Sequence, residues 1–284
     1  MRDIWPNLQI WREEGKKIAL ATVVKVSGSS LRPEGSTLIM TSDGSLFGSV
    51  SGGCVEGAVF QESLEVIKSG KPRLLSYGVS DEQAWEVGLS CGGAVEIYVE
   101  ALDTPAWDAV ESAIAECLAQ NKLAALLTVI NGNDSGTKLL LLKDGRRFGS
   151  LGDAAREKEI LDALPGNWAT QPAHKIELPG GEIVFADFIV PPPRLVIIGA
   201  THIAIPLVTL ANALDYHTIV VDARSAFATR ERFPHADELI VDWPSDVLAR
   251  LKIDAATCVV CLSHDEKQDN PSLLYAINSE ARYI

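Results

Sequence analysis

Two short stretches of the chain carry residue types that could do chemistry. Residues 49–57 read SVSGGCVEG and residues 90–100 read SCGGAVEIYVE, so Gly-Gly-x-Val-Glu is written twice, each time with one cysteine beside the glycine pair. In the first stretch Cys54 follows Gly52 and Gly53, and Val55, Ala58, Val59 and Val66 then recur at helical spacing before Gly70. That pattern predicts a helix opening just after the glycines. Amides at a helix start lack intrahelical partners and present positive charge, and glycines let a ligand reach the backbone, so Gly52 and Gly53 are candidates for holding an anion. A thiol at the same corner is drawn toward thiolate, which makes Cys54 a candidate reactive group. In the second stretch Val95, Ile97 and Val99 alternate with Glu96, Tyr98 and Glu100, the period of a strand, and Cys91, Gly92 and Gly93 form the loop that feeds it. Glu56 and Glu96 take the same place in the two elements. Each stretch also has a plain reading: a tight turn, a small buried cysteine and a solvated glutamate. Two such loops in one domain weigh toward chemistry.

The elements around these loops form a duplicated pattern. ALATVV followed by GSTLIMTSDGSLFGSVSGG and a helix is matched by AALLTVI followed by SGTKLLLLKDGRRFGSLGD and a helix. The Asp-Gly turns at 43–44 and 144–145 correspond, as do Phe47-Gly48-Ser49 and Phe148-Gly149-Ser150. The copies part at SGSSLRPEG, which is longer in the first copy, and at SGGC, which becomes LGD in the second. The scaffold alone therefore requires neither the double glycine nor the thiol. Three prolines, Pro191 to Pro193, end this region, since proline joins neither a central strand nor a helix interior. The expected domains are residues 1–190, a duplicated mixed α+β domain, and residues 191–284, a parallel-sheet domain.

Composition excludes several classes. A chain of 284 residues with 47% hydrophobic and 22% charged content is globular and long enough for two cores. Its 25 basic against 38 acidic residues, net −13, and the lack of a Lys/Arg stripe argue against nucleic acid. No run of eighteen apolar residues marks a membrane helix and the N-terminus has no signal-like apolar core, so a soluble cytoplasmic protein is expected. Five scattered cysteines point to reduced thiols. Cys258 and Cys261 fall within the strand-like TCVVCL, where positions three apart face opposite ways, so they do not form a metal clamp and no metal site is expected.

The second region alternates strands and helices. LVIIG, the turn GATHIA, an apolar helix and HTIVVD make a βαβ unit in which Gly199 stands at the first turn and Asp222, some twenty residues on, stands where an acid would hold a ribose. Thr201 replaces the second glycine of the dinucleotide fingerprint, which argues against NAD or NADP. His202 and His264 each follow a strand and are expected at the carboxyl edge of the sheet, where such folds bind ligands.

With these residues in view, the chain resembles the XdhC/CoxI group of maturation factors for molybdenum hydroxylases such as xanthine dehydrogenase and carbon monoxide dehydrogenase. The resemblance runs through GSSLRPEGSTLIMTSDGSLFGSVSGGCVEGAV, GLSCGGAVEIYVEAL, PPPRLVIIGATHIA, VVDARSAFATRERFPHADELI and CVVCLSHDEKQDNPSLLYAI. It implies an α/β protein with a Rossmann-like second domain, shortened at its C-terminus, and a carrier of the molybdenum cofactor (molybdopterin) without catalytic residues of its own. Implied partners are a molybdenum hydroxylase apo-enzyme and a cysteine desulfurase, and a homodimer fits the group. The cofactor's phosphate suits the Gly52–Gly53 corner, its molybdenum–dithiolene centre suits Cys54 and Cys91, and its pterin edge suits Glu56 or Glu96, with the cofactor expected between the two domains. The competing reading is an NAD(P)-dependent oxidoreductase or a nucleotide-sensing module that uses Asp222.

Overall fold

A run of buried residues from Ile18 to Val24 makes β1 (Ile18–Ser27) a central strand covered on both faces. In the computed structural model, which describes residues 1–78 and 93–284, β1 is flanked by β2 (Thr37–Thr41) and β5 (Ala94–Ala101). With β3 (Leu46–Gly48) and β4 (Arg73–Tyr77) they form an antiparallel sheet of order β3-β2-β1-β5-β4. Helix α1 (Trp5–Glu13) precedes β1, and α2 (Glu56–Ser69) joins β3 to β4. Gly70 stops α2 in the left-handed conformation and returns its amide to the Val66 carbonyl.

The same order is then built again. Helix α3 (Pro105–Ala119), capped by the Thr104 hydroxyl, leads into β6 (Ala124–Val129), β7 (Lys138–Leu142), β8 (Arg147–Ser150), α4 (Ala154–Ala163), β9 (His174–Glu177) and β10 (Ile183–Ile189). The second sheet runs β8-β7-β6-β10-β9, the first order element for element. Matched positions meet in one core: Ile18, Leu20 and Ile39 of the first sheet join Ala124, Leu126 and Leu140 of the second around α1 and α3. The opposite faces pack on α2 and on α4 respectively. Inside this unit the two copies are tied by an ion pair, Lys138 Nζ to Glu100 Oε1 at 2.7 Å, with both side chains buried and the Thr128 hydroxyl completing the ammonium's contacts.

Met1–Val190 is one compact unit and Pro191–Ile284 is the other. In the second, β11 (Arg194–Ile198), α5 (Ala204–Ala213), β12 (His217–Val221), β13 (Glu238–Ile240), α6 (Pro244–Arg250), β14 (Thr257–Cys261) and α7 (Glu266–Ile277) build a parallel sheet of order β13-β12-β11-β14. This is half of a doubly wound sheet: strands are added on one side of β11 up to β13 and the order then reverses, with β14 on its other side. Cys258 is buried in β14 and Cys261 is half-buried, and both are thiols. Among the described residues no helix is long and apolar enough to cross a membrane, and no three His, Cys, Asp or Glu side chains gather as a metal site.

Candidate functional site

The first copy differs from the second where its strands leave the common frame. Ala19 pairs with Met40 and Ala125 with Leu141, 21 against 16 residues apart along the chain, so the first copy carries extra length between its first two strands. That length is the end of β1 and the loop after it. Glu34 Oε1 accepts the Val26 amide at 3.0 Å, which pins the loop back on its own strand.

Both glycine segments close on this one loop. A Cβ at Gly93 would fall 2.1 Å from the Ser29 carbonyl oxygen, an approach only glycine permits. At the other end Gly52 faces the side chain of Leu31, and Arg32 Nε donates to the Ser49 carbonyl at 3.1 Å. Residues 27–32 thus lie between Gly93 and the segment 49–53. Cys54 is half-buried beside the core under α2, and Leu31 is 66% exposed. Cys91 and Gly92 lie outside the described residues.

The corner itself departs from expectation. Helix α2 opens at Glu56, and the Glu56 carboxylate turns back to fill the place reserved for an anion. Its Oε1 accepts the Ser49 hydroxyl at 2.8 Å and the amides of Val50 at 3.2 Å, Ser51 at 2.9 Å and Gly52 at 3.2 Å. Its Oε2 accepts the Gly53 amide at 2.9 Å and the Ser51 hydroxyl. Partial burial pushes this carboxyl up, but the Ser51 and Ser49 donors outweigh it and hold the pKa down to about 2. The amides of Gly52 and Gly53 are therefore satisfied from within the chain, and Glu56 has little capacity left for a pterin edge. The second copy explains why: Glu157 accepts the Ser150 hydroxyl at 2.8 Å and the Leu151 amide at 2.9 Å, the same reach-back from seven residues on. Glu56 corresponds to Glu157, not to Glu96. The Ser-to-Glu spacing repeated in both copies was the sequence signal for this.

Glu96 sits in β5 between two lysines. Lys175 of β9, from the second copy, touches Glu96 Oε2, and Lys25 of β1 lies 3.7 Å from Oε1. Neither lysine stands out in the sequence, because nothing local brings together residues 71 and 79 apart.

In the second unit His202 and His264 are both exposed at the carboxyl edge, after the adjacent strands β11 and β14. Gly199 and Asp222 have other work. A Cβ at Gly199 would lie 2.5 Å from the Ser263 amide nitrogen, so this glycine admits the chain's own backbone at the point where a pyrophosphate would approach. Asp222 is fully buried, accepting the Ala200 amide at 2.8 Å and the Arg224 guanidinium at 2.9 and 2.7 Å. Burial raises its pKa, while the Arg224 side chain and amide and the Ala200 amide bring it below the usual range. Neither residue is placed for a dinucleotide, which corrects the nucleotide reading.

Two family models match the chain, that of the XdhC and CoxI family over residues 11–78 and that of the XdhC Rossmann domain over residues 195–284. The chain belongs to the XdhC and CoxI family. The first match contains the Ser27–Arg32 loop, Cys54 and Glu56, and the second contains Gly199, Asp222 and both histidines. Among family relatives, the chain is 28% identical over 274 residues to a Bacillus subtilis protein named as a probable xanthine dehydrogenase subunit, covering 96% of this chain and 79% of that one. It is 27% identical over 271 residues to PaoD of Escherichia coli, named a molybdenum cofactor insertion chaperone, covering 95% of this chain and 66% of that one. A crystal structure named as a xanthine dehydrogenase from Bacillus halodurans superposes with a TM-score of 0.77 at 26% identity, over 100% of this chain and 81% of that chain.

Proposed function

We propose that this member of the XdhC and CoxI family binds the molybdenum cofactor and serves as a maturation chaperone for a molybdenum hydroxylase of the xanthine dehydrogenase kind, in the cytoplasm. The observation that carries the reading is the convergence of Gly93 and the thiol-bearing segment 49–54 on one loop, in the copy that has the extra residues. The second copy folds to the same strand order without that loop or the thiol, so the fold does not call for them. The name of the Escherichia coli relative supports the same ligand.

The residues fit such a group. The bound cofactor supplies molybdenum held by soft sulfur, and Cys54 offers a soft donor at half-buried depth, reachable yet sheltered. Gly93, at the foot of β5, lies against the same loop. Glu96 is engaged by Lys175 and Lys25, so it positions those lysines and is not assigned to the pterin edge. A chain with these features holds and shelters its ligand while a cysteine desulfurase supplies the terminal sulfur, then passes it to the apo-enzyme. Cofactor-loaded protein mixed with a molybdenum hydroxylase apo-enzyme should generate activity faster, and with less loss in air, than free cofactor at the same concentration. Equal rates and equal losses would remove the chaperone role.

A further inference from the structure

With the amide corner filled by Glu56, the anionic end of a ligand needs another partner, and the open end of the face that the first sheet turns to the second offers one. Register places Lys25, Glu96 and Ser76 side by side on β1, β5 and β4, and one step along the same face come Ser27 and Ala94. Gly78 completes that step, since a Cβ there would sit 3.0 Å from the Ala94 Cβ. Ser27, Ala94 and Gly78 carry almost no side chain, so the sheet surface dips at this row. The dip is a cavity of about 150 Å³, bounded by the Lys25, Glu96 and Ser76 row. The opposite face at this level, Val26, Val95 and Tyr77, packs with the core beneath α2.

The charge of the cavity follows from who holds Glu96. Lys175, its side chain 13% exposed, is in direct contact with one carboxylate oxygen, while Lys25 stands 3.7 Å from the other and is 53% exposed. Two ammonium groups share this carboxylate, and Lys25 is the less engaged of the two; the Glu34 carboxylate sits on the neighbouring Val26 amide. Ser27 and Ser76 add hydroxyl donors. The second copy differs at the corresponding row, where Ile183 lies opposite Glu177 and the Ile183 amide donates to Asn131 Oδ1 at 2.7 Å. Ser27 also opens the loop on which Gly93 and the Cys54 segment close.

We propose that this depression, with Lys25, Ser27 and Ser76, is the subsite for the phosphate group of the ligand, on the preceding reading that the ligand is the molybdenum cofactor. A tetrahedral anion takes the Lys25 ammonium as its counter-charge and the serine hydroxyls as donors, while Lys175 keeps Glu96 neutralised. Lys25 is thus a binding residue that serves the phosphate and not the metal.

The test compares full-length wild type with Lys25→Gln. After loading with molybdenum cofactor and gel filtration, Lys25→Gln should retain cofactor about tenfold more weakly, the scale of one lost charge-assisted contact. Millimolar inorganic phosphate should strip wild type and add little to the loss in the variant. Equal retention with equal phosphate sensitivity overturns the subsite while leaving the cofactor reading standing. Wild type that retains no cofactor overturns the cofactor reading instead, and the subsite is then judged without cofactor. In that arm, inorganic phosphate should slow acetylation of Lys25 several-fold relative to Lys68, while chloride at matched ionic strength should not. Identical protection by the two salts overturns the subsite.

Discussion

At the residue scale, the distinction that matters is between side chains the scaffold uses and those it leaves for a ligand. Glu56 belongs to the first kind, since six donors converge on its two oxygens. Replacing it by glutamine turns one acceptor into a donor that faces amides, so Glu56→Gln should destabilise the protein by about 1–3 kcal/mol in a denaturant titration. The pH dependence has a definite sign. The folded carboxyl titrates at about 2 against an ordinary 4.5, so its contribution is complete above about pH 4.5 and is lost as the pH falls toward 2. Wild type should lose stability over that window more steeply than Glu56→Gln, and parallel profiles would show that the carboxylate is not what the loop depends on. Cys54 differs from Cys117 in its depth. It is half-buried, whereas Cys117 is buried with its pKa raised by that burial, and burial together with Asp269 pushes Cys261 up to about 11. Iodoacetamide at pH 8 should therefore label Cys54 ahead of Cys117 and Cys261, read by mass spectrometry of tryptic peptides, and the reverse order would count against an accessible thiol at the loop.

At the scale of elements, the helix after the glycines, the strand from Val95 and the βαβ order of the second unit were legible in the sequence, because each rests on local periodicity and on glycine or proline stops. What was not legible depends on contacts across the duplication. The Glu96–Lys175 and Glu100–Lys138 pairs join residues 79 and 38 apart, and no spacing rule reaches that far. Glu56 was misread for the opposite reason: its partners are its own neighbours, and a helix-start carboxylate that folds back on the preceding loop looks in sequence like one free to bind. The buried pair makes a prediction of its own. Lys138→Met strands the Glu100 carboxylate in a site that is 6% exposed and should cost about 3–5 kcal/mol. Adding Glu100→Leu should restore most of the loss, since a well-packed apolar pair is commonly neutral or better in place of a buried ion pair. Thermal unfolding of the two single variants and the double variant decides it, and a strictly additive double variant would mean that the charges do not act as a pair.

At the scale of the whole molecule, a duplicated scaffold has kept one copy plain and elaborated the other, and the second unit has a doubly wound sheet whose two nucleotide-type residues are spent internally. Gly199 is filled by Ser263 and Asp222 by Arg224, so the candidate chemistry rests in the first copy. The measurement that tests this most directly is the cofactor content of the purified full-length protein and of Cys54→Ser, by acid oxidation with pterin fluorescence alongside molybdenum analysis. Wild type should carry pterin and molybdenum together, and Cys54→Ser should lose most of both with its melting temperature nearly unchanged. Wild type free of pterin, or a variant that retains as much as wild type, would contradict a cofactor site built on the first copy.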